Sequence, residues 1–499
     1  MTAEYAEHFR ALIGLEHVIE DAAEREYFST DISGGGDAIA ALVLQPGTVE
    51  ELAACVRTAA DLGFAILARG GGMSYSKGYV PTRAHAVIID MRRLDRIVEI
   101  NAGQKFVTAE AGCTWKKLYD VLSEQNLRTP FFGPLSGIQA TLGGSAAQNA
   151  AFFGSASHGS MRESVRGLEV VTADGKLFRP ETPAPFIGDA GAFGVKATIT
   201  LKLIRQPREC AFASFAFDNF PALLRVQSAM ANTDGLAECF GFDPESHRNL
   251  VKSGFNLFEG AALLGDVARA DGIGQALKSA ARVRRMRDLQ YSLHAVVEGD
   301  AEDAVDRAWQ RISHTAIAAG GAPIPDTIPR VTRAKPFRPI KALLGPKGEN
   351  WLPVHAIVPN AEAEKLVQRT NAYFKGQQAN LKHHKIRVSF LTMLIGENIL
   401  YEPQFFWPDR LSPFHLRNVT DKQRARYGEN AANPDARQAV MEMRQELIVL
   451  FGQIGAGHMQ SGKLYPYLQN LSNVEQADIR ALKHRLDPRG LMNPGVLEL

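Results

Sequence analysis

The chain has 499 residues, 45% hydrophobic and 22% charged, with a formal net charge of +2, which suits about two to four domains of ordinary size with ample material for their cores. The near-balanced charge argues against nucleic acid or an anionic membrane as the main partner. Cys55, Cys113, Cys210 and Cys239 are widely spaced with no CxxC pair, which argues against a disulfide framework or a zinc site and suits a reducing compartment. No stretch approaches the ~20 apolar residues of a membrane span, and Glu4 and Glu7 interrupt the start, so no secretory signal is read and a cytoplasmic location is expected.

Residues 1–37 read as an N-terminal arm of helix and loop ending in Ser33-Gly34-Gly35-Gly36. A strand is expected over Ala38 to Leu44, a turn at Pro46-Gly47, and a helix opened by Thr48, with Glu51 three residues on as in a capping box. Val49, Leu52, Ala53 and Val56 give that helix one apolar stripe. The next strand, Phe64 to Ala68, runs into Arg69-Gly70-Gly71-Gly72-Met73-Ser74, where three glycines remove every side chain between strand and turn. Such a loop permits φ > 0 and turns main-chain N–H groups outward, the chemistry a diphosphate needs. It is not the nicotinamide-type fingerprint, because no third spaced glycine and no helix-forming run follow.

Further strands are expected at Ala86 to Ile89, Ile97 to Ile100 and Phe106 to Ala109, then a helix from Cys113 with Trp115, Leu118, Val121 and Leu122 buried. Gly133 to Asn149, continued by Gly154 to Gly159, is almost free of charge, as suits a backbone-lined groove against a neutral ring system. Ser164 to Ala173 reads as a strand closed by the hairpin signal Asp174-Gly175. Asp189 to Gly194 is a glycine-bearing turn feeding the strand Val195 to Ile204.

Five segments in order, Arg69-Gly-Gly-Gly-Met-Ser, Thr141-Leu-Gly-Gly, Val165-Arg-Gly-Leu-Glu-Val-Val-Thr-Ala-Asp-Gly, Ala190-Gly-Ala-Phe-Gly-Val and Leu486-Asp-Pro-Arg-Gly-Leu-Met-Asn-Pro-Gly-Val-Leu, resemble the vanillyl-alcohol oxidase / p-cresol methylhydroxylase superfamily of FAD-dependent oxidoreductases. The resemblance implies an α+β fold: a two-subdomain FAD-binding domain over 38–205, an inserted α+β cap over 206–440 and a segment, 441–499, returning to the FAD domain. It implies that Gly70, Gly71, Gly72, Met73 and Ser74 hold the diphosphate, with Arg69 and Gly78 also among the cofactor-binding residues. Thr141, Gly143, Gly144, Gln148, Gly154 and Gly159 would line the ribityl chain and isoalloxazine. Gly191, Phe193, Gly194 and Val195 would lie near the adenine half, and Asn493 near the ring edge. Many members carry a histidine bonded to the flavin where Met73 stands, and methionine cannot form that bond. Non-covalent FAD is the expectation, while relatives that tether the ring from a cap His or Tyr leave His415 and Tyr401 as alternatives.

The cap is expected to carry strands at Phe212 to Phe217, Glu238 to Phe242 and Gln290 to Val297. Its helices are expected at Pro221 to Met230, Ala261 to Met286 and Ala301 to Ala318. The basic run Arg282 to Arg287 reads as a solvated helix end. Gly320-Gly321 to Pro339 is Pro-rich and reads as a long loop shaping substrate access. Chemistry is expected where the cap meets the flavin. Tyr401, His458 and Tyr465 are candidates for the base or phenol-binding group, Lys463 and Arg387 for anion stabilisation. Gly457 to Lys463 resembles a P-loop, but Leu464 stands where the magnesium-binding hydroxyl belongs. No metal site is read: His383-His384 and His355 form no convincing set, adjacent histidines in a strand pointing to opposite faces.

The reading is oxidation of the alcohol carbon of a small aromatic, phenolic substrate by hydride transfer to flavin. The electron acceptor is left open between oxygen, a cytochrome and a quinone, and a homodimer is common among proteins this chain resembles. Alternatives are a 2-hydroxy-acid (D-lactate or glycolate type) dehydrogenase of the same superfamily and a non-catalytic flavin-binding protein.

Overall fold

The computed structural model describes residues 2–252, 289–337, 344–427 and 430–499. The helix expected near 261–286 and the basic run at 282–287 lie outside the described residues. What is described is a mixed α and β architecture built on three principal sheets.

The first sheet holds, in spatial order, Val18–Ile19, Leu42–Leu44, Ala86–Asp90 and Ala65–Arg69, the last three mutually parallel. The helix Val49–Asp61 covers it with Leu52, Cys55, Val56 and Ala59, capped by Thr48, whose hydroxyl accepts from the Glu51 N–H. Residues before 38 pack onto this sheet. Val18 and Ile19 pair with Leu44 and Val43, closing an open sheet edge, and Tyr5 and Phe9 set their rings edge-on against Phe64. A strand of only two residues, Val18–Ile19, explains why no alternation announced it.

The second sheet is antiparallel, ordered Leu177–Phe178, Val165–Val171, Val195–Lys202, Phe106–Glu110 and Ile97–Asn101. The C-terminal segment returns to the first sheet, where Met492 bridges in parallel to Ile66 and the Asn493 N–H donates to the Ile66 carbonyl.

The cap is organised on an eight-stranded sheet between residues 209 and 407, with Arg387–Ile395 and Asn398–Trp407 as its longest hairpin. One face carries helices Phe220–Met230 and Ala363–Gly376; the other meets the FAD-side glycine segments, with Leu400 and Met393 packed in one cluster with Phe152 and Met459. The stretch expected as a long loop contains the helix Thr327–Ala334, which buries Ile328 and Val331. Pro329 falls in its first turn, where proline costs no hydrogen bond, so proline content misrepresents this segment. His383 and His384 end a short helix, Gln378–His383, rather than lying in a strand.

Candidate cofactor cleft and active site

Between the first two sheets and the cap runs a cleft of about 890 Å³ of non-atom space, mouth included. The loop Gly70 to Ser74 forms one wall; Thr141, Gly143, Gly144, Ser145 and Gln148 form the second; Ala190, Gly191, Gly194 and Lys196 close the third. Gln460 stands at the cap end. The glycines are required by close approach. A Cβ on Gly70 would meet the Thr141 hydroxyl, one on Gly71 the Gln139 carbonyl, and one on Gly143 would come within 2.7 Å of Ala111. Thr141 also caps the short helix Leu142–Gln148, accepting from the Gly144 N–H at 3.2 Å.

Among the described lining residues Lys196 alone carries a charge at neutral pH, and its ammonium is paired to buried Asp189. The buried Oε1 atoms of Gln148 and Gln460, both in the lining, have no hydrogen-bond partner. A long, nearly chargeless cleft with open backbone and unpaired amides fits a dinucleotide with a neutral ring system.

Several expected cofactor residues lie behind the cleft. Arg69 is buried beneath the loop, and Val195 is buried in its strand. Gly154 uses its N–H on Glu238, and Gly159 turns at φ 74° beside Glu163. Asn493 acts as a fastener: its amide donates to the Gly78 and Ala190 carbonyls, both at 2.6 Å, while its Oδ1 accepts from Lys463 at 2.7 Å.

The cap end holds a polar cluster centred on Tyr75, two residues past Met73. Gln460 donates to the Tyr75 hydroxyl at 2.9 Å, and that hydroxyl lies 3.5 Å from Glu402, which also accepts from Gln404 at 2.8 Å. Burial pushes the Glu402 carboxyl up to about 7. The Tyr75 ring meets Trp351 and His355 edge-on. His355 donates from Nε2 to the Met459 carbonyl, which leaves Nδ1 to accept from the Tyr465 hydroxyl at 3.3 Å. His458 donates from Nδ1 to the His355 carbonyl at 3.0 Å and lies tilted against Tyr465 at 4.3 Å between centroids. Its Nε2 is buried without a partner, and burial pushes the imidazole down to about 4, so the ring is neutral. Arg444, also buried, donates to the Tyr75 carbonyl at 2.7 Å.

The structure therefore brings His458 and Tyr465 together but not the other three catalytic candidates. Tyr401 faces the cap helices, stacked on Phe390 at 5.5 Å, with its hydroxyl unpartnered. Arg387 shares the cleft-side face of the hairpin but binds Glu245, Asn249 and Glu349 at the far edge. Lys463 gives its ammonium to the Lys77 and Val80 carbonyls and Asn493, and burial pushes it down to about 7. His415, the other residue considered for a covalent link, is buried against Ser412 and outside the cleft lining. Glu402, Tyr75 and Arg444 were not singled out from the sequence as catalytic, and His355 was weighed there only as a metal ligand. Among the described residues no group of three or more His, Cys, Asp or Glu side chains converges as a metal site, and no helix is long and apolar enough to cross a membrane.

Residues 40–180 match the FAD binding domain family. The whole chain superposes on p-cresol methylhydroxylase with substrate bound at a TM-score of 0.73, with 14% identity, over 100% of this chain and 96% of that one. It superposes on 4-ethylphenol oxidase from Gulosibacter chungangensis at 0.70, with 17% identity, over 99% and 96%. The fold is therefore that of the p-cresol methylhydroxylase-type FAD-linked oxidases. By sequence the chain is similar to D-2-hydroxyglutarate dehydrogenase of Xanthomonas citri pv. viticola, 27% identical over 42% of this chain and 46% of that protein. It is also similar to a probable mitochondrial D-lactate dehydrogenase of Danio rerio, 30% identical over 45% and 46%. The match thus spans less than half the length of these curated relatives.

Proposed function

We propose that this protein is an FAD-dependent oxidoreductase that oxidises the CH–OH carbon of a small, aromatic alcohol beneath the cap. The observation that carries the reading is the end of the glycine-lined cleft, where Gln460 and Tyr75 meet a carboxyl, Glu402, whose proton is exchangeable near neutral pH. FAD, when bound, supplies the two-electron acceptor for hydride.

The chain's own residues would position the substrate and move its proton. Tyr75, held by Gln460, presents a hydroxyl to the substrate oxygen, and Glu402 beyond it accepts the proton released as the alcohol becomes a carbonyl. His458 offers a bare, neutral Nε2 as a second acceptor, fixed by the His355 carbonyl. Trp351 and Tyr75 provide aromatic walls that exclude water. The loop around Met73 would hold FAD without a covalent link.

The similarity to D-lactate and D-2-hydroxyglutarate dehydrogenases favours a second reading, a 2-hydroxy-acid substrate. That reading needs a cation for the substrate carboxylate. Arg387 could supply it only by releasing Glu245 and Glu349, whereas Arg444, which donates to the Tyr75 carbonyl and keeps Nε and Nη1 unpaired among the described residues, could supply it with every ion pair intact. The test is a visible spectrum of the purified protein before and after acid precipitation, then anaerobic addition of benzylic alcohols and of D-2-hydroxy acids. Bleaching by the first class supports the proposal and bleaching by the second alone replaces it. A protein that takes up no flavin refutes both.

A further inference from the structure

Arg69 ends the strand Ala65–Arg69 and is 1% exposed, yet none of its three guanidinium nitrogens has a hydrogen-bond partner. Its guanidinium lies against ring faces, 4.7 Å from the Phe28 centroid, 5.0 Å from Tyr27 and 5.2 Å from Tyr79. Two further arginines lie on the same aromatic pair, and each has a carboxylate. Arg92 over Phe28 binds Asp90, and Arg417 over Tyr27 binds Glu24. Asp90 is the register partner of Arg69 in the neighbouring strand, but its oxygens are occupied by Arg92 and Gln45. A buried cation without an anion is costly, more than cation–π contacts offset.

The cleft offers a place for an anion facing it. The guanidinium lies directly behind the glycine loop, so close that a Cβ on Gly72 would overlap it, and Gly72 is cleft lining on its other side. The lining itself offers no uncommitted cation, since Lys196 is paired to Asp189. If FAD occupies the cleft as proposed above, the diphosphate rests on backbone N–H groups without a facing side-chain charge. We propose that Arg69 is the counter-charge of the FAD diphosphate, acting through the thickness of the glycine loop rather than by contact. Gly72 is then glycine for two reasons, its φ of 77° and the need to bring that charge up to the backbone. The arm residues Tyr27 and Phe28 belong to the cofactor site in the same sense, because they exclude water from the cation and leave its field unscreened.

The experiment compares wild type, Arg69→Met and Arg69→Lys in two measurements: the FAD dissociation constant by flavin fluorescence quenching, and the melting temperature of the flavin-free protein. The expected result is FAD binding weakened about tenfold or more in the Met variant, the size of one lost charge interaction, with flavin-free melting unchanged or raised because an unpaired buried charge is gone. The Lys variant should bind within about threefold of wild type on the same scale. Met binding within threefold of wild type, equal losses in Met and Lys, or a flavin-free Met variant that melts lower or does not fold would each overturn the proposal, the last by showing the side chain to be an apoprotein strut. Wild-type protein that binds no FAD would instead sink the cofactor reading itself.

Discussion

Glu402→Gln isolates the energetic cost of the carboxyl that the cap presses against Tyr75. The side chain is 6% exposed, and its neighbours are Gln404 and the Tyr75 hydroxyl, with no cation bonded to it. Burial therefore dominates and raises the carboxyl from 4.5 to about 7. In the unfolded chain the group ionises near 4.5, so between those values the folded state holds a proton that the unfolded state has lost. Stability contributed by this group is present below pH 4.5 and falls as pH rises to about 7, where the loss levels off. At about 1.4 kcal/mol for each tenfold in the proton equilibrium, the loss is about 3 kcal/mol. Glutamine keeps an oxygen for Gln404 and offers its amide to the Tyr75 oxygen, so the variant should carry little of this loss. Urea unfolding of the flavin-free protein at pH 5 and pH 8 measures most of it: the wild-type-minus-variant difference should change by about 2.5 kcal/mol, with the variant the more stable at pH 8. Parallel profiles for the two proteins would refute the burial argument and remove Glu402 as a proton acceptor near neutral pH.

The same substitution should slow anaerobic flavin reduction by about a hundredfold or more if Glu402 takes the substrate proton, read by single-turnover bleaching. Tyr401→Phe should leave that rate unchanged and raise stability by up to about 1 kcal/mol, since the hydroxyl it deletes is buried without a partner; a rate loss would return Tyr401 to the site. Gly71→Ala should yield protein that retains no flavin after gel filtration, because the added methyl meets the Gln139 carbonyl and forces two cleft walls apart. Asn493→Ala removes both fasteners to Gly78 and Ala190 and should cost about 2–3 kcal/mol in urea unfolding, with two buried carbonyls left unpaired.

The FAD-side architecture was legible because its glycines report geometry that other residues cannot adopt. Gly70, Gly71 and Gly143 stand where a Cβ meets another chain segment, and Gly72, Gly191 and Gly194 have positive φ. Cap strands such as Glu209–Phe217 and Tyr291–Gly299 were legible from β-branched and aromatic content. The N-terminal strand was not, since two residues are too few to show a period, and the helix Thr327–Ala334 was hidden by its prolines.

The misplacement of Tyr401 has a single cause. Asn398–Trp407 is buried along nearly its whole length on both faces, helices on one side and the FAD domain on the other, so the alternation that ordinarily marks inward and outward residues is erased. With no alternation the phase is undetermined, and a one-residue shift exchanges the two faces. Tyr401 then looks as eligible as Glu402, although the first packs on Phe220 and Phe390 and the second reaches Tyr75. What fixes the phase is a contact between residues 327 positions apart in the chain, which no local pattern encodes. The same phase carries Arg387, Ser389 and Gln404 onto the face with Glu402. A carboxyl near its protonation midpoint therefore stands at one end of a polar stripe and a committed arginine at the other. A substrate bearing its own carboxylate would have to compete for that arginine with Glu245 and Glu349 or turn to Arg444, while a neutral aromatic alcohol needs only the Glu402 end.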